Sequence, residues 1–226
     1  MSTGIFITGS DTGVGKTHVA TALLRGLVVD GFRAVGMKPV ATGIGPAEAR
    51  NADVLALAAS GNVDALPDDI NPFAFAPAIA PHLAAEEARV AIDLDRIASA
   101  YDRLSARADF VVVEGAGGAL TPLSARTDML DIAARLGLPV LLVVGIRLGC
   151  INHALLTALA IDARGLHLAG WIANRIDPAM LVSDANVDAL ACRIPAPLVA
   201  DLTWQGPNDT ALAMRSPVRT ALGLSR

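Results

Sequence analysis

Short apolar runs alternate along the chain with longer segments that are rich in alanine and leucine. Several of the short runs are apolar on both faces, which predicts strands of a sheet buried on both sides. Strands are predicted at residues 4–8, 33–38, 109–114, 139–145 and 167–173, with a weaker candidate at 196–200. Helices are predicted at residues 15–30, 51–60, 82–88, 94–107, 128–136, 150–164 and 180–191. The alternation predicts an α/β fold, a doubly wound and mainly parallel sheet with helices on both faces.

The length of 226 residues suits one large domain, 1–226. The chain contains no internal repeat, low-complexity tract or linker that would divide it. Residues 61–81 are rich in proline and aspartate, and we interpret them as an irregular excursion within the domain. A surface loop and a wall of a substrate site both remain open as explanations of this excursion.

Composition limits the possible partners. With 53% hydrophobic but only 4% aromatic residues, the core must consist mainly of alanine, leucine, valine and isoleucine. The 18 basic and 22 acidic residues occur without long runs of one sign, which argues against a nucleic-acid surface. The longest apolar run, 138–146, is far shorter than the roughly 20 residues needed to span a bilayer, so no membrane partner is expected.

The amino-terminal residues and the cysteines favour a cytoplasmic location. Residues 1–8 lack a basic region, a long apolar segment and a cleavage site, so no export signal is expected. Cys150 and Cys192 have no metal-ligand spacing, and free thiols in a reducing compartment are the preferred interpretation.

Residues 8–20, TGSDTGVGKTHVA, follow the first predicted strand and have the character of a phosphate-binding loop. Backbone N–H groups of a glycine-rich turn at the start of a helix can hold a triphosphate. Gly13 and Gly15 let the backbone curve closely around phosphate. Lys16 would reach the outer phosphates, and the Thr17 hydroxyl would ligate Mg²⁺. An ordinary strand-to-helix turn is the weaker explanation, so we expect a nucleotide to bind here.

The entry to this loop departs from the usual pattern. The glycine that normally stands five positions before the Gly-Lys-Thr end is replaced by Ser10, and Gly9 comes one residue earlier. Asp11 lies inside the loop, where a carboxylate facing the phosphates would be repelled. We therefore expect Asp11 to point away from the phosphates or to accept backbone N–H groups.

Three further charged residues are candidates for chemistry. Glu114 ends a predicted strand before a glycine-rich turn, which favours a magnesium partner over an exposed carboxylate. Asp53 follows the helix cap Asn51, and the residues alone explain it best by its interaction with the helix dipole. Lys38 would project from the same sheet edge as the loop, where phosphoryl transfer and a solvated strand-end lysine both remain open.

Taken together, these motifs resemble the dethiobiotin synthetase family. The matching stretches are TGSDTGVGKT (8–17), MKPVATG (37–43), VVEGAGG (112–118), VVGIRLGCINHALLT (143–157), LAGWIAN (168–174) and IPAPL (194–198). The loop with its displaced glycine and internal Asp-Thr is itself the family's form. The resemblance implies a P-loop NTPase-like fold and a single ligase domain that uses ATP and Mg²⁺. The implied reaction joins CO₂ to 7,8-diaminononanoate as a carbamate, phosphorylates the carbamate and closes the ureido ring of dethiobiotin.

The resemblance also implies roles for particular residues. Lys16 and Lys38 are implied to be catalytic, the first at the phosphates and the second at the carbamate and its transferring phosphoryl group. Mg²⁺ is implied to lie among Thr17, Asp53 and Glu114. The implied nucleotide-binding residues are Gly13, Val14, Gly15, Lys16, Thr17, His18, Asp53, Glu114, Gly115, Ala116, Gly117 and, at the adenine, Asn174. The implied substrate contacts are Thr42 and, across a homodimer interface, Gly149, Cys150, Ile151 and Asn152.

Two features depart from the family pattern. Asn186 stands where some members have a tyrosine near the substrate carboxylate, and residues 201–210 differ from the pattern expected around the nucleotide base. Three histidines are explained mainly by structural roles. The His18 imidazole is expected to pack in the helix after the loop, and His153 to serve packing or an interface. His82 either helps to start a helix or lines the substrate cleft.

An ATP-driven switch or partitioning protein with the same ancestral fold is the main alternative. Such proteins typically carry an extra lysine early in the phosphate loop, and Ser10, Asp11 and Thr12 include none. A nucleotide-binding regulator would give Lys38 no role. The stretch at 37–43 therefore favours the ligase.

Overall fold

The computed structural model describes residues 3–45, 50–203 and 211–224. In these ranges the strands are β1 (Thr3–Gly9), β2 (Ala34–Met37), β3 (Val40–Thr42), β4 (Phe73–Phe75), β5 (Phe110–Glu114), β6 (Val140–Gly145), β7 (Leu168–Arg175) and β8 (Leu198–Thr203). The helices are α1 (Lys16–Val29), α2 (Ala52–Ser60), α3 (Pro67–Ile70), α4 (Pro81–Ala88), α5 (Leu94–Ser105), α6 (Met129–Leu136), α7 (Cys150–Ala163), α8 (Ser183–Ala191) and α9 (Ser216–Ala221).

The main sheet has the strand order β2-β5-β1-β6-β7-β8, and each pair of neighbours is parallel. β3 and β4 form a separate parallel pair. Parallel neighbours require crossover connections, and helices provide them here. β1 lies between β5 and β6, because the chain builds one side of the sheet before it crosses β1 to build the other. The predicted doubly wound, parallel α/β architecture is confirmed.

Successive residues of β1 pack on opposite faces of the sheet. Phe6 belongs to a core cluster with side chains of α5 and α6. Ile5 and Ile7 belong to a second cluster with side chains of α1 and α9. All three are fully buried. Helices therefore cover both faces, which explains why the strand sequences are continuously apolar.

The described residues contain four short elements that were not predicted from the sequence, namely β3, β4, α3 and α9. Each has three to six residues, too few for hydrophobic periodicity to be recognised. Because α3 and β4 lie within 61–81, the interpretation of this excursion as irregular was wrong in part. Tertiary contacts order it, since β4 pairs with β3 and α3 packs against α5.

Both cysteines are free thiols, as predicted. Cys150 is buried at the start of α7, among side chains of β6, β7 and α8, whereas Cys192 is exposed. Across the described ranges, no helix combines the length and the apolar character that crossing a bilayer requires.

Candidate active site

A cavity of about 380 Å³ opens where β1, β2 and β5 reach their carboxyl ends. Ligands of open α/β sheets collect at such strand ends. Most of the predicted site residues line it: Gly13, Gly15, Lys16, Thr17, Lys38, Thr42, Asp53, Glu114, Ala116 and Gly117. Thr12 and Asn51, which were not predicted as site residues, also belong to the lining. The fold thus brings widely separated parts of the chain to one hollow.

The loop after β1 turns through two glycines in the left-handed region. Gly13 has a φ of 72° and Gly15 a φ of 87°, values that side chains disfavour. Helix α1 begins directly after Gly15, so the N–H groups of its first turn border the loop. Val14 is buried beneath the loop, and its side chain anchors the turn in the core. This is the backbone cradle that the sequence pattern predicted.

Asn174, at the end of β7, supports this cradle from below. Its side-chain amide donates a hydrogen bond to the Val14 carbonyl over 2.8 Å and is buried. A Cβ atom at Gly15 would lie only 2.1 Å from the Asn174 Nδ2 atom. No local sequence pattern indicates this contact with the loop. The implied role of Asn174 at the adenine stays a prediction.

Asp11 is turned toward the far side of the loop. Its carboxylate accepts the Thr12 backbone N–H over 2.7 Å and pairs with the Arg147 guanidinium over 2.6 Å. His153 lies 3.9 Å from the same carboxylate. The prediction that Asp11 accepts a backbone N–H group is confirmed. The pair with Arg147 also joins the loop to the segment before α7.

Lys16 and Lys38 are the two lysines of the chain, and both are buried at the cavity. The Lys16 ammonium donates to the Asp11 carbonyl over 3.1 Å. Burial, followed by the charge of Lys38, lowers the pKa of Lys16 to about 8. Two buried cations that line one cavity and act on each other's charge favour an anionic ligand there.

The Lys38 ammonium lies between two carboxylates. Its Nζ atom is 2.5 Å from Glu114 Oε1 and 2.8 Å from Asp53 Oδ2, while Thr17 donates to the same Glu114 oxygen over 2.7 Å. Burial acts to lower the pKa of Lys38, but the charges of Glu114 and Asp53 outweigh it and raise that pKa. Burial likewise acts to raise the pKa of Asp53, and Lys38 overrides it and lowers that pKa. Lys38 and Asp53 are therefore both ionised near neutral pH.

The donor set of Thr17, Asp53 and Glu114 fits Mg²⁺. Hydroxyl and carboxylate oxygens are the hard ligands that this ion takes, usually together with water and phosphate oxygens. Glu114 is fully buried, and its Oε2 atom has no hydrogen-bond partner among the described residues. Those residues contain no group of three or more His, Cys, Asp or Glu side chains that could hold a metal alone. The protein thus offers a partial oxygen shell of the kind that a nucleotide's phosphates complete.

Thr42 reaches the cavity from the end of β3, as its predicted substrate role requires. The Asn51 side-chain amide donates to the Thr42 carbonyl over 2.9 Å, and its oxygen accepts the Asp53 N–H over 2.9 Å. Asn51 is thus the helix cap that the sequence indicated. Its place in the cavity wall was not predicted. Its position two residues before Asp53 could have indicated it.

Other predicted residues lie outside this cavity. Gly115 is buried, and its N–H continues the sheet by donating to the Ile7 carbonyl over 2.9 Å. His18 lines a separate hollow of about 170 Å³ with Asp201 and Leu202 of β8. Asn186 lies on α8 and donates its side-chain amide to the Val182 carbonyl. The predicted departure at 201–210 falls mostly on 204–210, outside the described residues.

The predicted substrate contacts Gly149, Cys150, Ile151 and Asn152 form the start of α7 and do not line the 380 Å³ cavity. A second hollow of about 420 Å³ lies between the outer side of the phosphate loop and α7. Its lining includes Asp11 and Thr12 from the loop, together with Leu156 and Leu120, which are more than half exposed. The roles implied for the start of α7 stay predictions.

Comparison with known proteins finds relatives of one family that match nearly the whole chain. A family model described as an AAA domain matches residues 3–210. The ATP-dependent dethiobiotin synthetase BioD of Aromatoleum aromaticum is 52% identical over 217 residues, covering 94% of this chain and 96% of that protein. The protein of the same name from Nitrosospira multiformis is 51% identical over 209 residues and covers 92% of each chain.

Solved structures show a more distant likeness. The MinC–MinD cell division protein complex of Aquifex aeolicus includes a chain that aligns with a TM-score of 0.58 and 18% identity. The alignment covers 100% of this chain and 98% of that one. At this identity the likeness establishes the fold alone.

Proposed function

The chain belongs to the ATP-dependent dethiobiotin synthetase family, and we propose that it uses ATP, Mg²⁺ and CO₂ to convert 7,8-diaminononanoate to dethiobiotin. The catalytic unit is a single ligase domain, 1–226, working in the cytoplasm. The observation that carries this proposal is the convergence of Lys16, Lys38, Asp53 and Glu114 in one cavity beside a phosphate loop.

The first step forms a carbamate. One amine of the substrate attacks the carbon of CO₂ and loses a proton, which leaves an anionic carbamate. Lys38 is the cation best placed to hold that anion, because it lines the cavity with Thr42 and pairs with Asp53, which Asn51 links to Thr42. The Thr42 hydroxyl supplies a polar contact for the diamine or for its carbamate.

The second step transfers a phosphoryl group. A carbamate oxygen attacks the γ-phosphorus of ATP, ADP leaves, and a carbamic-phosphoric anhydride results. The loop N–H groups and Lys16 hold the phosphates, while Lys38 spans the transferring group and the carbamate. Catalysis of this kind rests on positioning and on neutralising charge, not on a covalent intermediate with the protein.

Ring closure completes the reaction. The second amine attacks the carbonyl carbon of the anhydride, phosphate leaves with the bonding electrons, and the amine loses its proton as the cyclic urea forms. Thr17, Asp53 and Glu114 would hold Mg²⁺, which supplies charge neutralisation at the phosphates when it is bound. Lys38, which pairs with Asp53 and Glu114, would share these carboxylates with the ion, and its ammonium would be held at the transferring group.

The substrate site is proposed to be shared between two copies of the chain. Leu148, Leu156 and Leu159, before and along α7, are 92%, 57% and 64% exposed. Exposed leucines at this density favour a partner surface, and a second copy would cover them. The N–H groups at the start of α7, residues 149–152, would then face the substrate carboxylate across the interface.

The nucleotide base is proposed to lie toward Asn174 and the hollow beside His18. Both residues adjoin Gly15, since a Cβ at that glycine would contact Asn174 and come within 3.9 Å of the His18 Cβ atom. A base extending from the loop in that direction would meet the end of β8, where Asp201 is fixed by a two-pronged ion pair with Arg175.

The decisive experiment is mass spectrometry of the product. Purified protein is incubated with 7,8-diaminononanoate, bicarbonate, ATP and Mg²⁺, and ¹³C-bicarbonate should add one mass unit to dethiobiotin. A mixture without ATP is the control. If nucleotide-binding protein formed no dethiobiotin, the proposed reaction would be wrong.

The switch or partitioning alternative receives no support from a particular residue. Its basis is the fold that the MinC–MinD complex shares with this chain. The early part of the loop, Ser10 to Thr12, carries no lysine that could reach a second copy. Both lysines of the chain face one cavity.

A further inference from the structure

Lys38 directly follows β2, and β2 forms an edge of the main sheet within the described residues. On one side β2 pairs with β5, as far as Met37 opposite Val113. On the other side no strand of that sheet continues the ladder. The sheet therefore holds the backbone of Lys38 from one side, although the ammonium of this residue must be placed accurately for phosphoryl transfer.

The excursion supplies the missing support. The Lys38 N–H donates to the Ile70 carbonyl over 2.8 Å, and the Asn71 side-chain amide donates to the Lys38 carbonyl over 2.6 Å. The same Asn71 amide donates to the Phe73 carbonyl over 3.0 Å. The Phe73 N–H in turn donates to the Pro39 carbonyl over 3.1 Å. Both polar groups of the Lys38 backbone are thus held by residues 70–71.

This support is itself fixed to the body of the domain. The Asp69 side chain is almost completely buried and forms an ion pair with Arg103 of α5 over 2.7 Å. Arg96 of the same helix stands over the Phe73 ring, 4.7 Å from its centroid. Helix α5 therefore anchors the segment on both sides of Asn71, and a displacement of Lys38 would have to move against these contacts.

We propose that Asn71 is a positioning residue for Lys38: it holds the lysine's backbone so that its ammonium meets the transferring phosphoryl group. The inference rests on the proposed function, since it assumes that Lys38 takes part in turnover. The sequence left open whether residues 61–81 form a surface loop or a wall of the substrate site. In this proposal, residues 70–71 of that segment act on the site through the backbone of Lys38. Asn71 itself touches no reacting group.

A matched asparagine at the opposite end of β2 makes the test specific. Asn62 accepts the Ala34 N–H over 2.9 Å and donates to the Phe32 carbonyl over 3.0 Å, so it clamps the amino end of the same strand. Asn71→Ala and Asn62→Ala should both lower the thermal unfolding midpoint. Only Asn71→Ala should lower kcat, by about tenfold or more, with the KM for ATP nearly unchanged.

A second measurement does not depend on turnover. Because Lys16 and Lys38 are the two lysines of the chain, protein made with ¹³C-labelled lysine gives two side-chain signals in an NMR spectrum. Lys38→Met assigns them. Asn71→Ala should shift or broaden the Lys38 signal and leave that of Lys16 in place, whereas Asn62→Ala should change neither.

The two measurements separate the possible failures. If the wild type formed no dethiobiotin, the proposed function would fail, and the NMR comparison would still decide whether Asn71 positions Lys38. If Asn71→Ala left the Lys38 signal where it is in the wild type, the positioning role would be overturned. Equal losses of kcat in the Asn71 and Asn62 variants would likewise reduce Asn71 to a general contributor to stability.

Discussion

At the scale of single residues, the site is a balance of charges taken out of water. Lys38 is 5% exposed at its side chain and Glu114 fully buried, so each needs the other. Breaking a buried ion pair by removing one partner typically costs about 3–5 kcal/mol, because the remaining charge stays desolvated. Asp53 is 41% exposed and shares the lysine, which lessens that cost here. Replacing the Lys38 ammonium beside Glu114 and Asp53 by another cation should therefore cost less free energy than removing its charge altogether.

Lys38→Met should preserve ATP binding and reduce kcat by about a hundredfold or more. Methionine keeps most of the length of the side chain and removes the charge that is proposed to stabilise the carbamate and the transferring group. Steady-state turnover and calorimetric ATP binding measure the two effects separately. A variant with normal turnover would remove the proposed role of Lys38.

Thr17→Val should weaken ATP binding by about tenfold or more when Mg²⁺ is present and change it little without the metal. Valine keeps the shape of threonine but lacks the hydroxyl that now donates to Glu114. Calorimetry with and without Mg²⁺ reads the difference. Thr21→Val is the matched control, because Thr21 is buried on the same helix and donates to the His18 carbonyl away from the cavity. Equal behaviour of the two variants would contradict a metal role for Thr17.

At the scale of elements, the decisive feature is the junction between the phosphate loop and α1. Gly15 adopts left-handed backbone directly before the helix and lies against the Asn174 amide. Three neighbouring strands contribute to this junction. β1 leads into the loop, β6 lies beside β1, and β7 carries Asn174, which donates to the Val14 carbonyl of the loop. The shape of the phosphate site therefore depends on a residue from far along the chain.

Gly15→Ala should lower ATP affinity strongly, because the new Cβ would push Asn174 away and deform the loop. Gly31→Ala is an unusually close control, since Gly31 has a φ of 89° and nothing within 4 Å of an added Cβ. Both variants carry a similar backbone strain, of about 1–2 kcal/mol, so both should lower the unfolding midpoint. Calorimetric titration with ATP should separate them. Similar affinities for Gly15→Ala and the wild type would show that the Asn174 contact does not shape the site.

At the scale of the whole molecule, the proposed dimer makes a prediction about mass and activity together. Leu156→Asp places a charge on the surface of α7 that a second copy would cover, so the variant should be monomeric by light scattering. Turnover should fall with the loss of the dimer, because the substrate site is proposed to be shared between the two copies. Val29→Asp is the control, since Val29 is 81% exposed at the end of α1. A wild type that is monomeric at assay concentrations would contradict the shared site.

Much of this molecule could be predicted from the chain alone. The strands and helices with several turns follow from apolar runs and periodicity, and so does the parallel sheet. The phosphate loop can be recognised in the sequence because its glycines, lysine and threonine are close together along the chain. The elements that escaped prediction, β3, β4, α3 and α9, are too short to carry a periodic signal and are ordered by contacts with other parts of the fold.

The sequence by itself determined the layered architecture and the presence of a phosphate-binding loop, because both are encoded by residues close together along the chain. It also marked Glu114 and Lys38 as strand-end charges without establishing that they meet. Only the tertiary structure decided that they form one ion-paired cluster with Asp53, that Asn174 supports the loop, and that Asn71 holds the backbone of Lys38. These contacts join residues from 15 to 160 positions apart. Which of them form depends on strand order and register, which no local pattern specifies.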